Sequence, residues 1–307
     1  MRYVYIINPV AGKGNLQSGI IDGIKSFFKG RKEEYKICTT AHHGDAGDIA
    51  VAEANKGDDI RIFACGGEGT VFEVLNGIVG YKNVELGVIP CGSANDFLKF
   101  FGQKEKFLDI GAQVEGSAVK MDIIKAGEKY CLNGCSVGMD AMIAHDMSIF
   151  KNWPLVSGSM SYKLAIVKAF LSKKLGITAD ISIDGGEKEK HNCLFAVIGN
   201  APYYGGGYMG TPNAVPYDGM LDSTIVDTIF RFKVPKFLSH YQKGTHGILD
   251  YCHLGKCRKM EFWADKPIPV NLDGEIIEEK NLCFSIVEKA IDFVIPKGIL
   301  TKGLTIG

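Results

Sequence analysis

The stretch IRIFACGGEGTVFEVLNG, residues 60 to 77, gives the clearest indication of the fold of the first part of this chain. An apolar strand-like run leads directly into Gly66-Gly67-Glu68-Gly69-Thr70, and a helix-like pattern follows. Glycines at that position let backbone N–H groups approach phosphate oxygens, and the following helix adds the positive end of its dipole. Glu68 inside such a loop indicates a divalent cation that bridges carboxylate and phosphate. The alternative is a plain strand-to-helix turn with a solvated glutamate.

The same strand-then-helix pattern repeats on both sides of this stretch. Strands are predicted at 3–7, 35–40, 60–65 and 85–90, and helices at 17–29, 45–56 and 71–79. This alternation predicts a parallel sheet covered by helices on both faces. The N-terminal domain, residues 1–120, is therefore predicted to be an α/β, Rossmann-like nucleotide-binding domain.

Beyond about residue 120 the strand-like runs are separated by Gly, Asp and Asn turns, with helical stretches only at about 159–173 and 233–246. This pattern favours an all-β, sandwich-like or barrel-like C-terminal domain over residues 121–289. The apolar end of the chain, 290–307, is expected to return to the first domain.

Composition excludes several classes of function. Lys plus Arg and Asp plus Glu balance at 35 each, so no global field favours nucleic acid. The apolar run at the N-terminus is too short for a secretory signal, and no segment has the ~18 apolar residues of a membrane span. We therefore expect a cytoplasmic protein, with any membrane association peripheral. Nine scattered cysteines indicate reduced thiols, and zinc at Cys252-His253 and Cys257 is a weaker alternative.

Two further loops follow strands of the predicted parallel sheet. Asn8-Pro9-Val10-Ala11-Gly12-Lys13-Gly14 comes after the first strand, and Pro90-Cys91-Gly92-Ser93-Ala94-Asn95-Asp96-Phe97 closes another. A capped helix start, with Ser93 or Asn95 as N-cap, is the alternative for the latter loop. Because neighbouring strand ends meet at one crevice, the three loops together predict a nucleotide site.

In combination these loops resemble the diacylglycerol kinase catalytic family, lipid kinases that include bacterial diacylglycerol kinases and YegS-like enzymes. Asn8 to Gly14 is similar to the family's N-P-x-[AS]-G motif, Gly66 to Thr70 to G-G-D-G-T, and Pro90 to Phe97 to P-x-G-T-x-N-D-F. The second half adds Asp122, Asn133-Gly134, Gly138-x-Asp140, Asn200, Gly205-Gly206-Gly207, Asp218-Gly219-x-Leu221-Asp222 and Asp273-Gly274-Glu275. The ordered set spans nearly the whole chain.

The resemblance implies a nucleotide domain like that of NAD kinases and phosphofructokinases, and a β-rich domain that binds the lipid substrate. It places ATP against Asn8, Pro9, Val10, Ala11, Gly12, Thr40, Gly66, Gly67, Glu68, Gly69, Thr70, Glu73 and Ser93. The catalytic acidic centre would be Glu68, Asp96 and Glu275, with Glu275 accepting the proton of the lipid hydroxyl. A structural Mg²⁺ would be held by the side chain of Asp218 and the carbonyl oxygens of Val215 and Met220.

The chain departs from the family pattern at two positions. Ser93 replaces a threonine and keeps the hydroxyl, whereas Glu68 replaces an aspartate and moves the carboxylate by over ~1 Å. We expect ATP-dependent transfer to a lipid hydroxyl, most simply from ATP to diacylglycerol to give phosphatidic acid. The alternatives are a catalytically weakened nucleotide- or lipid-binding regulator and a kinase of a soluble metabolite such as NAD.

Contact with the membrane is expected to be peripheral and transient. Tyr162 to Leu175 is apolar on one face and lysine-bearing on the other, which is compatible with interfacial binding. An ordinary amphipathic helix packed on the second domain is the favoured alternative. A homodimer through sheet edges of the second domain is left open.

Overall fold

The structure is a computed structural model of the 307-residue chain. It describes residues 1–12, 16–91, 95–150 and 176–299, together with Trp153, Met160, Leu164, Ala165 and Lys168. The chain divides into two compact units: Met1–Ile123 with Glu288–Gly307, and Ile124–Val287. The predicted boundaries, after residues 120 and 289, lie close to these.

The first unit has a parallel sheet with the strand order β2-β1-β3-β4-β13. Its strands are β1 (Arg2–Ile7), β2 (Tyr35–Thr39), β3 (Ile60–Gly66), β4 (Val84–Pro90) and the last part of β13 (Glu275–Ile295). The helices are α1 (Leu16–Phe28), α2 (Asp45–Ala54), α3 (Glu68–Ile78) and α4 (Ile110–Val114), with 3-10 helices at Asp96–Phe101 and Lys104–Leu108. The alternation of strand and helix runs as the sequence predicts.

The core of this unit forms because its central strands carry apolar residues on both faces, while the buried Arg61 of β3 is paired with Glu85 of β4 at 2.6 Å. All seven residues of β3 are buried, as expected for a strand covered on both faces of a parallel sheet. Tyr5 of β1 stacks on Phe63 of β3, with ring centroids 4.6 Å apart. Near the end of the described chain, Asp292 and Phe293 pair in parallel with Glu85 and Leu86 of β4.

The second unit is antiparallel. It contains β6 (Lys129–Cys131), β7 (Gly134–Gly138), β8 (Ile177–Ile183), β9 (Glu189–Gly199), β10 (Leu221–Asp227), β11 (Cys252–Cys257) and β12 (Lys259–Leu272), together with parts of β5 (Ser117–Ala126) and β13. The pairing order is β11-β10-β9-β7-β12-β13, and β8 bridges β9 and β12. The long strands β9 and β12 therefore pair with β7 near one end and with β8 near the other, which wraps the sheet around a core.

The helices of this unit are α5 (Met139–Phe150) and α6 (Val234–Gln242), with 3-10 helices at Arg231–Lys233 and His246–Ile248. The sequence interpretation missed α5, which follows β7 at Gly138, where φ is 100°. It also missed β11, whose four central residues are exposed. A strand that is exposed along its middle shows no clear apolar alternation, so its sequence carries little strand signal. The predicted helix 159–173 falls largely outside the described residues.

Candidate phosphate-binding site

The glycine-rich loop is shorter than the sequence predicts. Helix α3 begins at Glu68, not near residue 71, so only Gly67 separates it from the end of β3. Gly67 is the N-cap, with an extended backbone and no side-chain cap on the helix. The first backbone N–H groups of a helix have no partner within the helix. Together with the helix dipole, they make this uncapped end a suitable place for an anion.

The two glycines of the loop have different structural roles. A Cβ on Gly66 would lie 2.5 Å from Thr70 Cβ and 2.9 Å from Thr70 Cγ2, and closer still to Thr70 Oγ1. A Cβ on Gly67 would meet nothing within 4 Å. Gly66 is thus required for packing within the turn, whereas Gly67 leaves open space beside the backbone.

Hydrogen bonds join the glycine loop to the loop after β1. Asn8 Nδ2 donates to Thr70 Oγ1 at 3.1 Å, and the Asn8 backbone N–H donates to the carbonyl of Cys65 at 3.0 Å. Asn8 Oδ1 also accepts from the backbone N–H of Val10 at 3.0 Å, which folds the Asn8-Pro9-Val10 turn. Ala11 donates its N–H to the Asn8 carbonyl, and Gly12 follows at φ 81°. Asn8 therefore fixes the two loops against each other.

A further hydrogen bond joins the glycine loop to the loop after β4. Glu68 Oε1 accepts from the backbone N–H of Asp96 at 3.2 Å. The Asp96 side chain is fully buried, and its Oδ1 lies 2.6 Å from Lys99 Nζ. The structure therefore brings together two of the three predicted acidic residues. The sequence interpretation missed Lys99, although its spacing of three residues from Asp96 was an available signal.

The residue before Asp96 has an unusual backbone conformation. Asn95 has φ 130° and ψ 59° and precedes the 3-10 helix Asp96–Phe101. Asn95 occupies the N-cap position, as the alternative interpretation predicts, but it is buried and its side chain makes no capping hydrogen bond. Phe97 packs edge-on against Phe293 of β13, with centroids 5.2 Å apart. Core packing on this aromatic ring positions the segment that presents Asp96.

Glu73 and Thr40 connect the site to the loop after β2. Glu73 Oε1 accepts from the backbone N–H of Gly44 at 2.8 Å, and Oε2 accepts from that of Ala46 at 3.1 Å. Glu73 thus binds the N-terminus of α2 through both carboxylate oxygens. Thr40 is buried and donates its backbone N–H to the Ile7 carbonyl at 2.9 Å. Direct contact of Glu73 with ATP, which the resemblance implies, stays a prediction. Lys13, Gly14 and Ser93 lie outside the described residues.

In the second unit, the Asp273-Gly274-Glu275 motif forms the turn between β12 and β13. Asp273 and Gly274 have φ values of 48° and 98°, the positive pair expected of a type I′ hairpin turn. Burial raises the pKa of Asp273 to about 6, while three backbone N–H donors act in the opposite direction. These donors, at 2.5 to 3.2 Å, belong to Leu132, Asn133 and Gly134. Asp273 is therefore an internal anchor, and Glu275 follows it, partly exposed, opposite Leu272.

Of the predicted structural Mg²⁺ ligands, the Asp218 carboxylate is paired with a lysine. Asp218 Oδ2 lies 2.6 Å from Lys256 Nζ, and Asp222 Oδ2 lies 3.3 Å from the same atom. The Val215 carbonyl accepts from the N–H of Tyr217 at 2.8 Å, and the Met220 N–H donates to Asp218 Oδ1 at 3.0 Å. An ammonium group already balances the carboxylates, so this arrangement does not fit a divalent ion unless Lys256 moves.

The described residues also bear on the zinc alternative and on a membrane span. These residues contain no cluster of three or more His, Cys, Asp or Glu side chains that could hold a metal. The zinc alternative therefore lacks support: Cys252 belongs to the apolar core, and His253 Nε2 lies 2.8 Å from Asp227 Oδ2. Within the same described part of the chain, no helix has the length and apolar character needed to span a bilayer.

Comparisons with known proteins cover both units. Residues 2–126 match the diacylglycerol kinase catalytic domain, and residues 133–295 match the YegS C-terminal NAD kinase beta sandwich-like domain. A diacylglycerol kinase of Mycobacterium tuberculosis is 30% identical over 88% of this chain and 90% of its own length. A Shewanella frigidimarina protein named "Probable lipid kinase YegS-like" is 28% identical over 77% of this chain and 76% of its own.

The fold is shared with a solved structure of a diacylglycerol kinase from Bacillus anthracis. The TM-score is 0.70 at 19% identity, over 97% of this chain and 98% of that one. These matches agree with the loops that meet at the carboxyl ends of β1, β3 and β4. The chain belongs to the diacylglycerol kinase catalytic-domain family, the lipid kinases that include the YegS-like proteins.

Proposed function

We propose that this chain transfers the γ-phosphate of ATP to the hydroxyl of a lipid, with diacylglycerol as the acceptor and phosphatidic acid as the product. The observation that carries the proposal is the hydrogen-bonded set Asn8–Thr70 and Glu68–Asp96, which joins three strand-end loops at the N-terminus of α3. The parallel unit then acts as a Rossmann-like nucleotide domain. The name of the Mycobacterium tuberculosis relative supports the choice of acceptor.

The triphosphate is proposed to bind at the N-terminus of α3. Gly67 leaves room for phosphate oxygens beside the backbone, and the helix N–H groups and dipole attract negative charge. Glu68 lies in the first turn of that helix, so its carboxylate would repel phosphate unless a cation lies between them.

Glu68 fits the role of ligand to a magnesium ion that arrives with ATP. Proteins bind such an ion through one or two carboxylates plus phosphate oxygens. Glu68 is the carboxylate proposed for this role, whereas Asp96 is buried and paired with Lys99, so it would bind the ion only if Lys99 moves. When bound, the ion would supply positive charge next to the transferred phosphoryl group. Lys99, 2.6 Å from Asp96 Oδ1, offsets the charge of that buried carboxylate.

Glu275 is proposed to accept the proton of the acceptor hydroxyl. The turn that carries it is held rigidly, because Asp273 accepts hydrogen bonds from the backbone of residues 132–134. A positioned general base contributes about 10²- to 10⁴-fold to the rate. We expect Glu275→Gln to reduce transfer by that factor while ATP binding is unchanged. Glu278→Gln is the matched control, because Glu278 is exposed on the same strand.

The test is transfer of label from ATP in the presence of Mg²⁺, with diacylglycerol, phosphatidylglycerol, sphingosine and NAD offered separately. Label in diacylglycerol is the expected result. Label in another lipid would correct the acceptor and keep the lipid kinase. Label in NAD alone would refute the proposal, and ATP binding without transfer to any acceptor would indicate a regulator. Full activity of Glu275→Gln would remove Glu275 from the role of base.

A further inference from the structure

Two phenylalanines of the second unit are exposed side by side. Phe230 is 72% exposed and Phe232 is 77% exposed. Their rings are stacked, with centroids 5.7 Å apart and an interplanar angle of 9°. They lie between the end of β10 and the start of α6, around the 3-10 helix Arg231–Lys233. Large apolar side chains presented together to solvent indicate an interaction surface.

The surrounding segment, Thr228 to Leu249, is strongly cationic. It contains Arg231, Lys233, Lys236 and Lys243 and not a single Asp or Glu, in a chain whose charges balance at 35 each. The acidic residues that flank it are Asp227, whose carboxylate contacts His253 at 2.8 Å, and Asp250. Ile248, 75% exposed, adds a further apolar side chain to the segment. We call residues 228–249 the cationic segment.

Helix α6 anchors the cationic segment on the core. Val234, Phe237 and Tyr241 are buried, and Phe237 packs against Phe195 of β9 with centroids 5.7 Å apart. Lys236 and Lys243 are exposed. Helix α6, packed on the core, therefore holds a segment that exposes aromatic rings and ammonium groups to solvent. The rings can bind a partner without any rearrangement of the core.

We propose that the cationic segment docks the protein on an anionic phospholipid surface. Phe230 and Phe232 enter the headgroup region, and Lys236 and Lys243 interact with lipid phosphates. Phenyl rings bury apolar area at such an interface, and basic side chains add attraction to anionic lipids. This docking rests on the proposed function, because a kinase whose acceptor is a membrane lipid has to reach the bilayer surface. It assigns the membrane contact to residues outside the Tyr162 to Leu175 stretch.

The experiment measures co-sedimentation of the full chain, without ATP, with vesicles of phosphatidylcholine alone or mixed equally with phosphatidylglycerol. We expect binding to the mixed vesicles only. Phe230→Ser with Phe232→Ser should weaken it about 30-fold, for partial burial of two rings at tenfold per ~1.4 kcal/mol. Lys236→Gln with Lys243→Gln should weaken it about fivefold per lysine at low salt. Ile183→Ser, at an exposed aliphatic residue of the same unit, is the control and should bind normally.

Several results would overturn the docking surface. The proposal is wrong if the wild type binds neither type of vesicle, or binds neutral and anionic vesicles equally. It is also wrong if the phenylalanine variant binds anionic vesicles as tightly as the wild type. Loss of a dimer in the phenylalanine variant, without loss of vesicle binding, would assign the rings to a protein interface instead.

A parallel assay separates this proposal from the proposed function. Diacylglycerol dispersed in neutral detergent should be phosphorylated equally by the wild type and the surface variants. If the wild type phosphorylates dispersed lipid but does not bind vesicles, the docking surface is wrong and the lipid kinase stands. If the wild type binds vesicles but phosphorylates no lipid, the docking surface stands and the lipid kinase is wrong.

Discussion

Gly66 and Gly67 form a matched pair for testing the glycine loop. Gly66→Ala places a Cβ against Thr70, 2.5 Å from its Cβ, so Thr70 has to move. Overpacking of this kind costs ~1–3 kcal/mol, and loss of the Asn8–Thr70 hydrogen bond adds ~1 kcal/mol. The free energy of unfolding of the first unit should therefore fall by ~2–4 kcal/mol.

Gly67→Ala should behave differently. Its backbone, at φ −91° and ψ −169°, is accessible to alanine, and the new methyl group meets no atom within 4 Å. The poorer N-cap and the restricted unfolded chain have opposite effects on stability, so the net change should stay within ~0.5 kcal/mol. ATP binding should nevertheless be lost, because the methyl group occupies the space proposed for phosphate.

Hydrogen exchange of peptides from β3 and α3 measures this stability locally. It is preferable to tryptophan fluorescence, because Trp153 and Trp263 both lie in the other unit. A double variant, Gly66→Ala with Thr70→Gly, removes the clashing side chain and should be ~2 kcal/mol more stable than additivity predicts. Equal stability of the two alanine variants, or strict additivity in the double variant, would refute the steric argument. Normal ATP binding by Gly67→Ala would refute the phosphate site.

The remaining predictions concern the second unit, where tryptophan fluorescence in urea reports unfolding. Asp273→Ala removes the acceptor of three buried backbone N–H groups and should cost ~3–4 kcal/mol, whereas the exposed Asp265→Ala should cost less than ~0.5 kcal/mol; equal effects would contradict the anchor role. Burial lowers the pKa of His246 to about 4 from 6.5, so this buried histidine stabilises the fold fully above pH ~6.5 and loses ~3 kcal/mol as pH falls toward 4. His246→Phe should remove that pH dependence, and an unchanged difference from the wild type between pH 7 and 4 would contradict it.

Some features of the site were predictable because their causes are local. The apolar run Ile60 to Cys65 and the glycines after it specify a buried strand and a tight turn through their own backbone and side-chain chemistry. The prediction that three strand ends converge needed only the regular alternation of strands and helices. The start of α3 at Glu68 was also within reach, since an acidic residue in the first turn favours a helix N-terminus.

Other features depend on partners that are distant in the sequence. Nothing near Glu68 shows that its carboxylate accepts from the backbone of Asp96, 28 residues later. Nothing near Asp273 shows that it holds the backbone of Asn133, 140 residues earlier. Nothing near Asp218, the carboxylate predicted to bind magnesium, shows that Lys256 pairs with it. Local patterns do not contain these contacts, because the fold alone brings the partners together.

Local patterns in the chain were enough to predict the class of both units, the resemblance to the family and the three loops that follow strands. Strand and helix periodicity and glycine conformation act within a few residues, so they can be read from the chain directly. The tertiary structure was needed to show which carboxylates hold the fold through buried hydrogen bonds. It showed Glu73 on the N-terminus of α2 and Asp273 inside the second unit. The function of a carboxylate depends on its burial and its hydrogen-bond donors, and long-range packing sets both.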